Sequence, residues 1–140
     1  MLDPSREQAR AFFFATWRKY RAGEPLAALE AMALDLILLH PEYHGVLEQA
    51  ERYREREYLP ELGETNPFLH LSLHLALEEQ LSIDQPPGIA ARFAALLARK
   101  GERHAALHAA LDCLAETVWR AQREGLPPDG AAYLECLGKR

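Results

Sequence analysis

Residues 66–79 read NPFLHLSLHLALEE, and this stretch decides the fold class. Asn66 followed by Pro67 is a helix start. The asparagine side chain can accept from the first backbone N–H groups, and proline at the first helical position lacks only an N–H that would go unpaired. Leu73, Leu77 and Leu81 then recur once per turn, which predicts a helix over 67–82 with an apolar stripe facing a core. His70 and His74 fall at the centre of that stripe, where leucine would pack better.

The same punctuation extends outward in both directions. Asp3-Pro4, Glu24-Pro25, His40-Pro41, Pro86-Pro87 and Asp129 mark starts, while Gly23, Gly63, Gly101 and Gly125 mark stops. Helices are predicted at 4–22, 25–40, 41–57, 67–82, 87–100, 102–124 and 129–138, with 58–66 as the longest gap. Apolar faces run through Phe13, Trp17 and Tyr20, through Leu29, Met32, Leu36 and Leu39, and through Leu107, Leu111, Leu114 and Val118. No sustained alternation of period two supports a strand. The expectation is an all-α, single-domain compact helical bundle of about six to seven helices spanning residues 1–140.

Composition narrows the function classes. The chain has 140 residues, 49% hydrophobic and 26% charged, with a net charge of -5 and no basic tract, so no nucleic-acid partner is expected. The apolar run LILL at 36–39 is too short to span a bilayer, and the polar start MLDPSREQAR does not read as a signal peptide, so no membrane partner is expected either. Cys113 and Cys136 form no CxxC pair. Both fit a reducing, cytoplasmic setting better than a disulfide framework, and Cys113 reads as a buried structural thiol.

All six histidines fall in i, i+4 pairs: His40/His44, His70/His74 and His104/His108. Such partners lie about 40° apart on one helix face, which lets two imidazoles converge on one ion. Glu78 follows His74 by a turn and Asp112 follows His108, extending two of the rows. His40 points inward, whereas His44 shares the outer side of its helix with Glu48 and Glu51. A buried imidazole carries a donor and an acceptor, and leaving either unpaired costs about 1–3 kcal/mol. Core histidines therefore need a hydrogen-bond network or a shared cation. The candidate metal ligands are His70, His74, His104, His108, His40, Glu78 and Asp112, and this mixed nitrogen and oxygen set suits one or two ions of iron, zinc, manganese or nickel.

Other features read as structural. Phe12, Phe13, Phe14, Trp17 and Trp119 are expected in the core or as a lid, and Asp84 as a partner that orients a histidine N–H. No phosphate loop or nucleophile elbow occurs, and no catalytic residue or small-molecule ligand is assigned.

Three segments, HPEYH (40–44), TNPFLHLSLHLALEEQLSIDQPPG (65–88) and DCLAETVWRAQREGLPPDGAAYLECL (112–137), resemble a family of small bacterial proteins known as domain of unknown function 1841. That resemblance implies no activity. The order His44/Glu48, His70/His74, His108/Asp112 is also similar to the ligand pattern of hemerythrin-type bundles, which hold two irons, and more loosely to three-histidine bundles of the damage-inducible thiol-transferase type. The hemerythrin likeness would imply a carboxylate-bridged centre, although the first helix here has no histidine. Three readings result: a metal-binding bundle, a non-catalytic interaction or dimerisation module with hydrogen-bonded histidines and an aromatic first helix as homodimer face, and a bundle that responds to pH through its imidazoles.

Overall fold

A computed structural model describes residues 4–58 and 66–140. The expected cap Asp3, the expected stop Gly63 and most of the 58–66 gap lie outside the described residues. Among the described residues eight helices run in the order α1 (Pro4–Ala22), α2 (Ala28–Leu38), α3 (His44–Leu47), α4 (Ala50–Tyr53), α5 (Pro67–Ile83), α6 (Ile89–Lys100), α7 (Arg103–Glu124) and α8 (Gly130–Lys139), with a 3-10 turn at Pro41–Tyr43. The fold is all-α, with no strand among the described residues. The helices group into two units, residues 1–75 and 76–140, and the boundary falls inside α5.

In the first unit, Phe13, Phe14 and Trp17 from α1 pack with Ala33, Leu36 and Ile37 from α2, with Leu47, and with Phe68, Leu71 and Leu75 from α5. Each large side chain so buried contributes roughly 1.5–3 kcal/mol of hydrophobic stabilisation. The stripes are rotated from the expected ones. Leu29 and Leu39 are exposed, and α2 instead buries Glu30, Ala33, Leu36 and Ile37. Glu30 explains the rotation: it accepts from Lys19 Nζ at 2.9 Å and from the Ala27 N–H at 2.9 Å, which draws its edge of the helix inward. On α5 the buried positions of this unit are Pro67, Phe68, Leu71, His74 and Leu75.

The single helix expected over 41–57 is broken into the 3-10 turn, α3 and α4. Gln49 leaves helical geometry at φ -121, ψ 58, and its side chain donates back to the Gly45 carbonyl. Beyond Tyr53 a competing donor takes over. Arg10, only 1% exposed, gives Nη1 to the carbonyls of Tyr53, Arg54 and Arg56 at 3.2, 3.1 and 2.7 Å. A guanidinium that captures these acceptors ends the helix as a cap would. The segment packs along α1, with His44 beside Trp17, Glu48 beside Arg21 and residues 53–56 beside Arg10.

In the second unit, α6, α7 and α8 bury Ile89, Phe93, Leu96, Leu107, Leu111, Leu114, Tyr133 and Leu137. The Glu102 carboxylate accepts from the N–H groups of His104 and Ala105, and Asp129 accepts from Ala132, so both helix starts are capped. Gly101 and Gly125 close α6 and α7 in the left-handed region at φ 79 and 66, a conformation that favours glycine. Three expectations are corrected here. Asp84 does not orient a histidine; its carboxylate caps α6 through the N–H groups of Gly88 and Ala90 at 3.2 and 2.9 Å. Trp119 is 57% exposed, with the Arg123 guanidinium 4.4 Å from its ring centre, so it is not core. Cys113 and Cys136 are not thiols but a disulfide joining α7 to α8 across a Cα–Cα distance of 5.8 Å. The helical hairpin brings together positions that look unrelated in sequence, and the compartment inferred from reduced cysteines loses that basis. No described helix is long and apolar enough to cross a membrane.

Candidate metal centre

His40 follows α2 directly and is 2% exposed. Its Nδ1 lies 2.8 Å from the Leu36 carbonyl oxygen. A carbonyl only accepts, so Nδ1 carries the proton and Nε2 holds a lone pair. That Nε2 stands 3.3 Å from Nε2 of His70. His74, one turn along α5, is fully buried, and its ring centre lies 4.8 Å from that of His40 and 4.7 Å from that of His70. A ring nitrogen of His74 comes within 4.8 Å of one of His40. Three imidazoles from α5 and the end of α2 thus converge inside the first unit.

Tyr43 backs the cluster. Its ring stacks on His40 at 5.4 Å between centres, 7° from parallel, and meets His70 edge-on at 6.1 Å. Burial, reinforced by Glu42, raises the pKa of its hydroxyl, which stays protonated. The sequence places Tyr43, inside HPEYH, on the buried face of its helix, but nothing in the spacing gave it a part in the site. His44 is half-buried rather than exposed: its Nε2 donates to the Ile37 carbonyl at 2.9 Å and its ring packs 4.5 Å from that of Trp17. It serves the first unit as a wedge under α1.

In the second unit, His104 and His108 share one face of α7, with their Nε2 atoms 3.0 Å apart. His104 is half-buried and His108 exposed. The two carboxylates expected beside them are held elsewhere. Glu78 makes a two-pronged ion pair with Arg103, each contact 3.0 Å, and Asp112, 70% exposed at its side chain, lies 3.9 Å from Arg140. Glu48, which the hemerythrin pattern would need as a ligand, lies 3.5 Å from Arg21.

The nitrogen spacings fit coordination chemistry. With zinc–nitrogen bonds of about 2.0–2.1 Å, two ligands of a tetrahedral ion stand about 3.3 Å apart and neighbouring ligands of an octahedral ion about 2.9 Å. The observed 3.3 Å between His40 and His70 and 3.0 Å between His104 and His108 lie at those edges. The Nδ1–H of His40, fixed on a backbone carbonyl, is the outer contact that commonly orients a metal-bound histidine.

Fold and site together define a class: an all-helical chain with clustered, backbone-oriented imidazoles and its two cysteines joined to each other. Within that class the chain belongs to the family described as Domain of unknown function (DUF1841), whose model matches residues 5–139. No curated protein and no solved structure matches it, and the likeness to hemerythrin-type bundles is not shown.

Proposed function

We propose that this chain binds a transition metal ion through imidazole donors. The observation that supports it most is His40, whose Nδ1–H on the Leu36 carbonyl leaves the Nε2 lone pair directed at His70. We assign His40, His70 and His74 as the donor set of the first unit and His104 and His108 as that of the second. We leave Glu78 and Asp112 out of this donor set: Glu78 is paired with Arg103 at 3.0 Å, and Asp112, 70% exposed at its side chain, faces Arg140 at 3.9 Å. Neutral nitrogen donors suit zinc, nickel or iron better than manganese, which takes more carboxylate. When bound, such an ion supplies Lewis acidity. The chain's own part is to fix the imidazole tautomer and to keep Tyr43 as a neutral wall.

The test is metal content of untagged protein, followed by reconstitution with zinc, nickel and ferrous iron. His70→Ala is half-buried and spares the deepest packing, and it should weaken binding about 10–100-fold. His108→Ala reads how the two donor sets are used. One equivalent lost in His70→Ala alone assigns the ion to the first unit, one lost in His108→Ala alone assigns it to the second, and two lost separately mean one in each. Less than about a tenth of an equivalent after reconstitution sinks the proposal.

The hydrogen-bond geometry favours one alternative. An N–H···N bond from His70 to His40 satisfies the same atoms without an ion, which makes the cluster a structural network in an interaction module. His70→Ala would then lower stability equally with and without metal. A homodimer face on the aromatic side of α1 does not suit that module, because Phe13, Phe14 and Trp17 are consumed by the core of the first unit.

A further inference from the structure

Arg10 is used only in part by the fold. Its Nη1 is committed to the carbonyls of residues 53, 54 and 56, and its guanidinium is covered by the Phe68 ring, 4.7 Å from the ring centre. Its Nε and Nη2 are buried and have no hydrogen-bond partner among the described residues. Those two nitrogens form the side edge of the guanidinium, the edge that grips an oxyanion with two parallel N–H···O bonds. The same arginine lines a pocket of about 340 Å³ with Arg6, Asn66, Phe68 and Ser72.

Every polar side chain that the described residues bring to that lining can donate. Arg6 is a second cation, and its Nε also lacks a partner among the described residues. The Asn66 oxygen is occupied by the N–H groups of Phe68 and Leu69, which leaves its amide N–H₂ as a donor at the start of α5. Ser72 adds a hydroxyl, and among the described residues no carboxylate lines the pocket. In a chain of net charge -5, two guanidiniums lining one pocket with no described acid in that lining are a local reversal. Burial and the nearby Arg6 both disfavour the charged form of Arg10 and lower its pKa. A bound dianion would relieve both.

We propose that the Arg6–Arg10–Asn66–Ser72 pocket is a binding site for an oxyanion of the phosphate class, gripped by the Nε/Nη2 edge of Arg10. Two positive charges match a dianion better than a monocarboxylate. The volume exceeds a lone phosphate and falls at the lower end of small-ligand sites, so either free phosphate or a small phosphomonoester can supply the group. This inference does not depend on the metal reading.

The test is calorimetric titration of the full chain, with chelator present so that no metal ion can hold the anion. The probes are inorganic phosphate and glycerol 2-phosphate at constant ionic strength. Arg10→Gln is a poor probe by itself because the residue also caps the 53–56 segment. Ser72→Ala leaves that role intact, and Arg6→Gln removes only one long exposed contact to it, 3.4 Å from Arg6 Nη2 to the Arg56 carbonyl. We expect saturable binding, weakened at least about tenfold by Arg6→Gln and severalfold by Ser72→Ala. Tighter binding of the monoester identifies a phosphorylated small molecule as the source, and equal or tighter binding of phosphate identifies the free ion. No saturable binding of either probe up to about 10 mM, or equal affinity in wild type and Arg6→Gln, overturns the site.

Discussion

Arg10 and His40 mark the two ends of what a single residue discloses. His40 was readable as inward-facing, because histidine at the end of an apolar helix has few other places to go, and the structure buries it on the Leu36 carbonyl. Arg10 was not readable. One arginine among several on an amphipathic helix looks like solvated surface, and only tertiary packing shows it spanning three carbonyls. Its removal should be among the costlier single changes in the chain. Hydrogen bonds from a charged donor are each worth about 1.5–3 kcal/mol, and their carbonyl partners would be left short of donors. Arg10→Met is expected to lower unfolding free energy by roughly 3 kcal/mol in urea titrations, and Arg10→Lys should recover only part because an ammonium cannot reproduce the fork. The helix caps set a smaller scale. Asn66→Ala and Asp129→Ala each remove one side-chain acceptor from a helix start and should cost about 1 kcal/mol by the same measurement.

Among elements, legibility follows locality. The long helices α1, α5, α6, α7 and α8 are started and stopped by residues inside or beside them, such as Asn66, Asp129, Gly101 and Gly125, so their bounds were set down within two residues. The 41–57 segment departs from expectation at two places: Gln49 breaks it locally, and its end after Tyr53 comes from Arg10, more than forty positions earlier, competing for its carbonyls. The rotation of α2 failed for the same reason, since Glu30 is drawn in by Lys19 of another helix. The Cys113–Cys136 link is the third case: nothing in the spacing says that α7 and α8 fold back with those two positions opposed. Protein purified without reductant and then denatured should therefore show no titratable thiol, and two thiols per chain would contradict the pairing. Replacing both cysteines with alanine removes a cross-link over a loop of 23 residues, which models of chain entropy put at about 3 kcal/mol.

Over the whole molecule, two properties escape any local reading. The division at residues 75 and 76 falls within α5, a helix with neither glycine nor proline near that point, so no composition shift marks it. The candidate site was legible as a set of imidazoles but not as a selection. Which carboxylates remained available depended on Arg103, Arg140 and Arg21, whose pairings arise from folding. Acid response is a third global property, and it can be argued from three carboxylates. Glu30 is held below its ordinary value of 4.5 by Lys19 and the Ala27 N–H, Asp84 below 3.8 by the N–H groups of Ala90 and Gly88, and Glu102 below 4.5 by those of Ala105 and His104. A carboxyl that binds its proton less readily when folded stabilises the folded state fully above its unfolded pKa. That contribution is lost as pH falls through the lower, folded value. From these groups stability should hold between neutrality and about pH 5 and then decline steadily below about pH 4. Glu30→Gln, Asp84→Asn and Glu102→Gln should each lower stability at pH 7 and flatten the acid limb. The check is urea denaturation at fixed pH values from 3 to 7, and a triple variant whose acid limb is as steep as that of the wild type would show that other groups govern it.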